Sequence, residues 1–121
     1  MDKDSQTLGQ KRVKAEFNPA KNGTVDQLKN ISAKMIDIAL KGGDKDSSMK
    51  ECKNSFMSLI NSDSKGGTSE RERLQSIAFR HMDSAFDNWV AVEYGTNDSV
   101  DIVTERIETA CMYAVKWCFT E

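Results

Sequence analysis

A basic and aromatic segment from Lys11 to Thr24 is the first place where side chains of this chain could do chemistry. Arg12 supplies a permanent cation, and Phe17 and Asn18 add an aromatic face and an amide. Thr24 is a typical helix N-cap residue, and the free N–H groups of a helix N-terminus favour phosphate groups. The alternative is an ordered arm with solvated cations and Phe17 packed in the core. The pattern alone leaves both interpretations open.

The second place is an aromatic pair near the C-terminus, Tyr113 and Trp117, with Lys116 beside it. Residues four positions apart share one face of a helix. Such a face can stack a nucleobase and pair its phosphate with the lysine. It can equally form an oligomer contact or part of the core, because aromatic residues are also enriched at interfaces.

Catalysis and metal binding find little support in the remaining residues. His81 is the single histidine, and a nucleophile would have to be brought to it from another helix. The cysteines, Cys52, Cys111 and Cys118, lack the Cys-x-x-Cys spacing that is typical of zinc sites. We therefore expect no catalytic residue, no metal and no cofactor, and we expect that the protein is not an enzyme.

The charge of the chain is small overall but unevenly placed. A formal net charge of -2 argues against binding to polymeric nucleic acid or to an anionic membrane surface. Residues 1–29 carry six Lys or Arg against four Asp or Glu, whereas residues 70–121 carry five against ten. No apolar run reaches the roughly 20 residues of a membrane-spanning helix, so we expect no membrane partner and a cytoplasmic location.

Helical periodicity predicts the elements that must position these residues. Capping residues predict four helix starts: at Thr24, between Asp46 and Ser48, at Ser69, and at Asp98 or Ser99. The third helix has the widest apolar stripe, which predicts that it is the central helix. No segment shows sustained two-residue alternation, so a sheet is not expected.

The expected architecture is all-α. We expect residues 1–10 to be disordered and residues 11–121 to form a single helical domain. That domain is a small bundle of about four helices with an extended N-terminal arm, and we expect it to be oligomeric.

Two motifs at the ends of the chain resemble a known protein family. The opening motif consists of Arg12-Val13, Phe17-Asn18-Pro19, Asn22, Val25, Leu28-Lys29, Ala33 and Ile36-Asp37. The closing motif, in which the family usually has Trp where this chain has Tyr, consists of Glu108, Ala110 and Met112-Tyr113-Ala114-Val115-Lys116. Together they resemble the phage-encoded anti-CBASS cyclic-nucleotide sponges, which are related to the anti-Thoeris sponges.

The resemblance implies a phage anti-defence protein that acts in the cytoplasm of the host cell. Family members are small helical homo-oligomers, reported as hexamers, that sequester cyclic di- or trinucleotide immune signals without cleaving them. They bind phosphates with basic residues and stack bases on aromatic residues. The residues to which the resemblance assigns ligand binding here are Arg12, Phe17, Asn18, Lys29 and Lys116, and the aromatic face near the C-terminus adds Tyr113.

A second hypothesis makes the chain a protein-binding inhibitor. The ten carboxylates of residues 70–121 would form an acidic helical surface that occludes a host defence factor. Acidic surfaces steer association toward basic partners.

Overall fold

The structure, a computed structural model, describes residues 22–42, 47–61, 69–95 and 99–120. These residues form four α-helices: α1 (Asn22–Lys41), α2 (Ser47–Asn61), α3 (Ser69–Glu93) and α4 (Val100–Phe119). Within the described ranges there is no strand, and the predicted all-α bundle of four helices is confirmed. The segment 1–10 and the predicted arm up to residue 21 lie outside the described residues.

The helix boundaries differ from the predicted ones mainly at α1. This helix begins at Asn22, two residues before the predicted start at Thr24. Val25 and Leu28, both fully buried, anchor the first turns of α1 in the core. This anchoring outweighs the local turn preference of the Asn-Gly pair, because tertiary packing overrides weak propensities.

The four helices close into a bundle in which each packs on its neighbours in sequence. The most extensive packing is between α3 and α4, α1 packs on both α4 and α2, and α2 also packs on α3. Arg71 at the start of α3 donates from Nε to the carbonyl of Thr120 after α4, over 3.0 Å. The two helices are therefore antiparallel, and their outer side faces away from α1 and α2.

The most buried helix is α4 rather than α3, so the prediction that the third helix is central is wrong. Nine residues of α4 are buried, against five of α3. Ala110 and Ala114, both fully buried, allow the neighbouring helices to approach α4 closely. The wide stripe of α3 remains partly exposed at Phe79 and Val90.

The core is one continuous cluster of apolar side chains from all four helices. Its largest fully buried members include Trp89, Phe56, Leu28, Met35 and Ile107. The three cysteines are buried in it, and none of them forms a disulfide. Among the described residues, no helix combines the length and the hydropathy that a bilayer crossing requires.

Helix α3 ends at a glycine with a left-handed backbone. Gly95 has a φ of 78° and its N–H donates to the carbonyl of Val92 over 3.1 Å. An added Cβ would meet no atom within 4 Å, so only the backbone conformation resists a side chain there.

We expect Gly95→Ala to lower the free energy of unfolding by about 1 kcal/mol, because alanine is disfavoured in the left-handed region. Urea denaturation followed by circular dichroism measures the change. Gly95→Asn is the matched control and should cost less, since asparagine tolerates this conformation. Equal stability of the alanine variant and the unchanged protein would contradict the prediction.

Candidate functional site

The residues predicted to bind a ligand fall into three groups in the structure. Those outside the described residues are Arg12, Phe17 and Asn18. Of the remaining three, Tyr113 and Lys116 lie together on α4, whereas Lys29 lies on α1.

Tyr113 stacks on a histidine of the neighbouring helix. The rings of Tyr113 and His81 are parallel within 1°, with centroids 6.0 Å apart. Lys116 Nζ lies 5.4 Å from the centroid of the Tyr113 ring, within the range of a cation–π contact. Both rings are half-buried, and Lys116 is exposed. The outer side of the α3–α4 pair therefore carries an aromatic platform with a cation above it.

Four cations surround this ring pair. Arg80 and Arg106 lie close enough to His81 to influence its pKa. Arg73 interacts electrostatically with Tyr113, as Lys116 does with Glu70. We name the set of two rings and four cations the Tyr113 site: His81, Tyr113, Arg73, Arg80, Arg106 and Lys116.

Helix periodicity explains why these residues share one side of the α3–α4 pair. Arg73 and Arg80 are seven positions apart on α3, and Arg106 and Tyr113 have the same spacing on α4. Seven residues make about two turns, so each pair lies on one side of its helix. The antiparallel packing of α3 and α4 then brings the two sides together.

Burial makes His81 a weak base. The pKa of His81 is lowered by desolvation and, further, by the positive charges of Arg106 and Arg80. Within the described part of the chain, the buried Nε of Arg106 has no hydrogen-bond partner. The site thus combines an imidazole that is harder to protonate than usual with a guanidinium whose Nε has no hydrogen-bond partner among the described residues.

We expect acidification to destabilise the fold through His81. Its pKa is lower in the folded than in the unfolded chain, so unfolding takes up a proton at pH values between the two. His81 therefore does not lower the free energy of unfolding above about pH 6.5. Below that pH, the free energy of unfolding falls as the pH drops toward the pKa of His81 in the folded chain.

Unfolding free energies at several pH values between 5 and 8, for the unchanged protein and for His81→Gln, measure this contribution as a difference. NMR titration of the His81 ring protons gives its pKa directly. A midpoint at or above the ordinary value of 6.5 contradicts the prediction.

Arg73 is partly committed to another partner. Its guanidinium donates two hydrogen bonds to the Glu70 carboxylate, from Nε over 3.0 Å and from Nη2 over 2.8 Å. The bonded arginine lowers the pKa of Glu70. Both side chains are exposed, so the pair is worth little to stability, and an incoming anion competes with Glu70 for Arg73.

Lys29 lies on a different side of α4 from Tyr113. Its positive charge is close enough to affect the thiol of Cys111. Burial raises the pKa of that thiol, and a hydrogen bond with Ser32 and the charge of Lys29 lower it in part. Cys111 and Tyr113 are two positions apart, which is about 200° around the helix. Within one molecule, Lys29 therefore does not join the Tyr113 site.

Trp117 belongs to the core and not to a ligand face. Only 2% of the residue is exposed. The guanidinium of Arg71 lies over the ring of Trp117, 4.3 Å from the ring centroid, and so covers one face of the ring. Of the two interpretations that the sequence leaves open for this pair, Trp117 takes the core one, whereas Tyr113 is only half-buried.

The sequence interpretation missed His81 and Arg106 as members of the site. The sequence presents His81 only as the single histidine, to which a nucleophile would have to be brought from another helix. It is 32 positions from Tyr113, and only the packing of α3 on α4 brings the rings together. The described ranges contain no group of three or more His, Cys, Asp or Glu that could hold a metal ion.

Comparisons with protein-family models, curated proteins and solved structures give no match. The Tyr113 site therefore rests on its own features: a parallel ring pair with a lysine near the tyrosine ring, and three arginines that interact electrostatically with one ring or the other.

Proposed function

We propose that this protein is a phage anti-defence protein that binds a cyclic di- or trinucleotide immune signal of the host and sequesters it without cleaving it. The observation that carries the proposal is the stack of Tyr113 on His81, with Lys116 at 5.4 Å from the tyrosine ring. The opening and closing motifs that resemble cyclic-nucleotide sponges support it.

The proposed contacts follow from the chemistry of the Tyr113 site. A base stacks on the exposed part of the Tyr113–His81 platform, since every base offers a π-face to an aromatic ring. The adjacent phosphodiesters pair with Lys116 and Arg106, because hydrogen bonds from a charged side chain to phosphate are stronger than hydrogen bonds between neutral groups. The unused buried donor of Arg106 favours this role.

We propose further that a homo-oligomer, a hexamer by the resemblance, completes the binding site. Met112, next to Tyr113, is 41% exposed, and methionine is enriched at protein interfaces. A neighbouring copy could then bring its own Lys29, or the arm residues Arg12, Phe17 and Asn18, to the ligand.

Calorimetric titration of the purified protein with a panel of cyclic di- and trinucleotides tests the proposal. We expect one member of the panel to bind with a Kd in the micromolar range or tighter. Heating the complex and analysing the released ligand by chromatography should recover it intact. Absence of heat with every member overturns the binding proposal, and recovery of linear products overturns the sequestration proposal.

A second candidate is binding to a host protein through the acidic surface. Six carboxylates of α3 and α4 are exposed: Glu70, Glu72, Asp83, Asp87, Asp101 and Glu105. Affinity capture from host lysate tests it, with the variant Asp87→Asn/Asp101→Asn as the matched control. A stoichiometric partner that the variant fails to retain, together with no heat in the nucleotide titrations, favours this candidate.

A further inference from the structure

A groove runs along the outer side of the α1–α2 pair, away from the Tyr113 site. It is wide open to solvent, and its volume is about 660 Å³, within the usual range of small-molecule pockets. Its lining side chains are Gln27, Asn30 and Ile31 of α1 and Asn54, Ser55, Ser58 and Leu59 of α2. None of these residues belongs to the Tyr113 site.

The groove has an apolar floor and polar walls. Ile31 and Leu59 are half-buried and pack against the core, whereas Asn30, Asn54 and Ser58 are exposed. The serine side chains of α2 are short, which leaves room between the two helices. A flat ring can therefore lie on aliphatic carbon while its edges meet polar groups.

None of the described residues that line the groove is charged, although 30% of the chain is Asp, Glu, Lys or Arg. Three carboxamides, from Gln27, Asn30 and Asn54, each offer two N–H donors and an acceptor oxygen. Ser55 and Ser58 add hydroxyls. A phosphate has no cation to pair with in this lining, so the groove suits a neutral ligand with both donors and acceptors.

We propose that this groove binds the purine base and ribose of an adenine nucleoside. A carboxamide of Asn or Gln pairs with adenine in two hydrogen bonds at once, accepting from N6–H and donating to N7. Ile31 and Leu59 contact the face of the base, and the hydroxyls of Ser55 and Ser58 meet the ribose. The inference does not rest on the proposed function, because it uses another side of the bundle and needs no phosphate.

Titration of the full-length, 15N-labelled protein with adenosine tests the inference. We expect the side-chain NH2 signals of Asn30 and Asn54 to shift when adenosine is added at concentrations up to about 5 mM, as a weakly bound ligand requires. Inosine, which carries an oxygen in place of the N6 amine, should bind at least about fivefold more weakly. Absence of these shifts, or equal binding of inosine, overturns the inference.

Matched variants separate this site from the Tyr113 site. Asn30→Ala/Asn54→Ala should weaken adenosine binding at least about fivefold, while Glu51→Gln, exposed on α2 outside the groove, should leave it unchanged. In Tyr113→Ala, which alters only the other site, the adenosine-induced shifts of the Asn30 and Asn54 NH2 signals should persist. If adenosine binding is lost in Tyr113→Ala but kept in the double variant, the nucleoside occupies the Tyr113 site, and the groove inference fails while the proposed function stands.

Discussion

Replacing Tyr113 by alanine is expected to weaken binding of the cyclic nucleotide by about 5- to 150-fold. Base–aromatic stacking is worth ~1–3 kcal/mol per base when it is removed by alanine substitution, and each 1.4 kcal/mol is tenfold in affinity. The substitution also removes the ring on which His81 stacks, so the platform loses both of its paired faces. Calorimetric titration with the ligand identified in the panel measures the change.

Two variants control this experiment. Tyr94→Ala removes a tyrosine that is 79% exposed at the end of α3, and it should leave the affinity unchanged. Tyr113→Phe keeps the ring and should retain most of the binding. A Tyr113→Ala protein that is folded and binds as tightly as the unchanged protein would remove the platform from the proposed site.

Trp117→Ala is expected to lower the free energy of unfolding by about 3–5 kcal/mol, the usual cost of removing a buried tryptophan. Only 2% of Trp117 is exposed, and the guanidinium of Arg71 packs over its ring at 4.3 Å. Small domains are stable by roughly 5–15 kcal/mol, so a large part of the total depends on this residue. Urea denaturation of the two proteins measures the difference.

Trp117→Phe is the matched control for packing and should lose less, because the smaller ring fills part of the same space. Trp89→Ala, at an equally buried position on α3, should resemble Trp117→Ala. A loss within the roughly 0.5 kcal/mol typical of surface substitutions would mean that Trp117 is available to a ligand after all.

The helices could be predicted from sequence because their signals are local. Apolar residues recur at helical spacing, and Ser69 and Ser99 mark starts that the structure reproduces. Glycines mark two of the ends, at Gly42 and Gly95, where the backbone takes a positive φ. The start of α1 was predicted less well, since an Asn-Gly pair has a turn preference that the burial of Val25 outweighs.

The most buried helix could not be predicted in the same way. Stripe width counts apolar residues around one helix, and by that measure α3 exceeds α4. Burial depends on which neighbours cover the stripe, and α4 packs on both α3 and α1. The small residues Ala110 and Ala114 permit this packing, although they contribute little to a count of large apolar side chains.

The residues of the candidate site likewise differ in whether the sequence alone could place them. The sequence by itself placed Tyr113 beside Lys116, because helical spacing puts residues three positions apart on one face. It also determined the four helices and their apolar stripes. Only the tertiary structure decided that His81 and Arg106 join Tyr113, that Trp117 is buried, and that Lys29 lies elsewhere. These outcomes depend on the register between helices, which is set by side-chain packing across the core and leaves no local pattern in the chain.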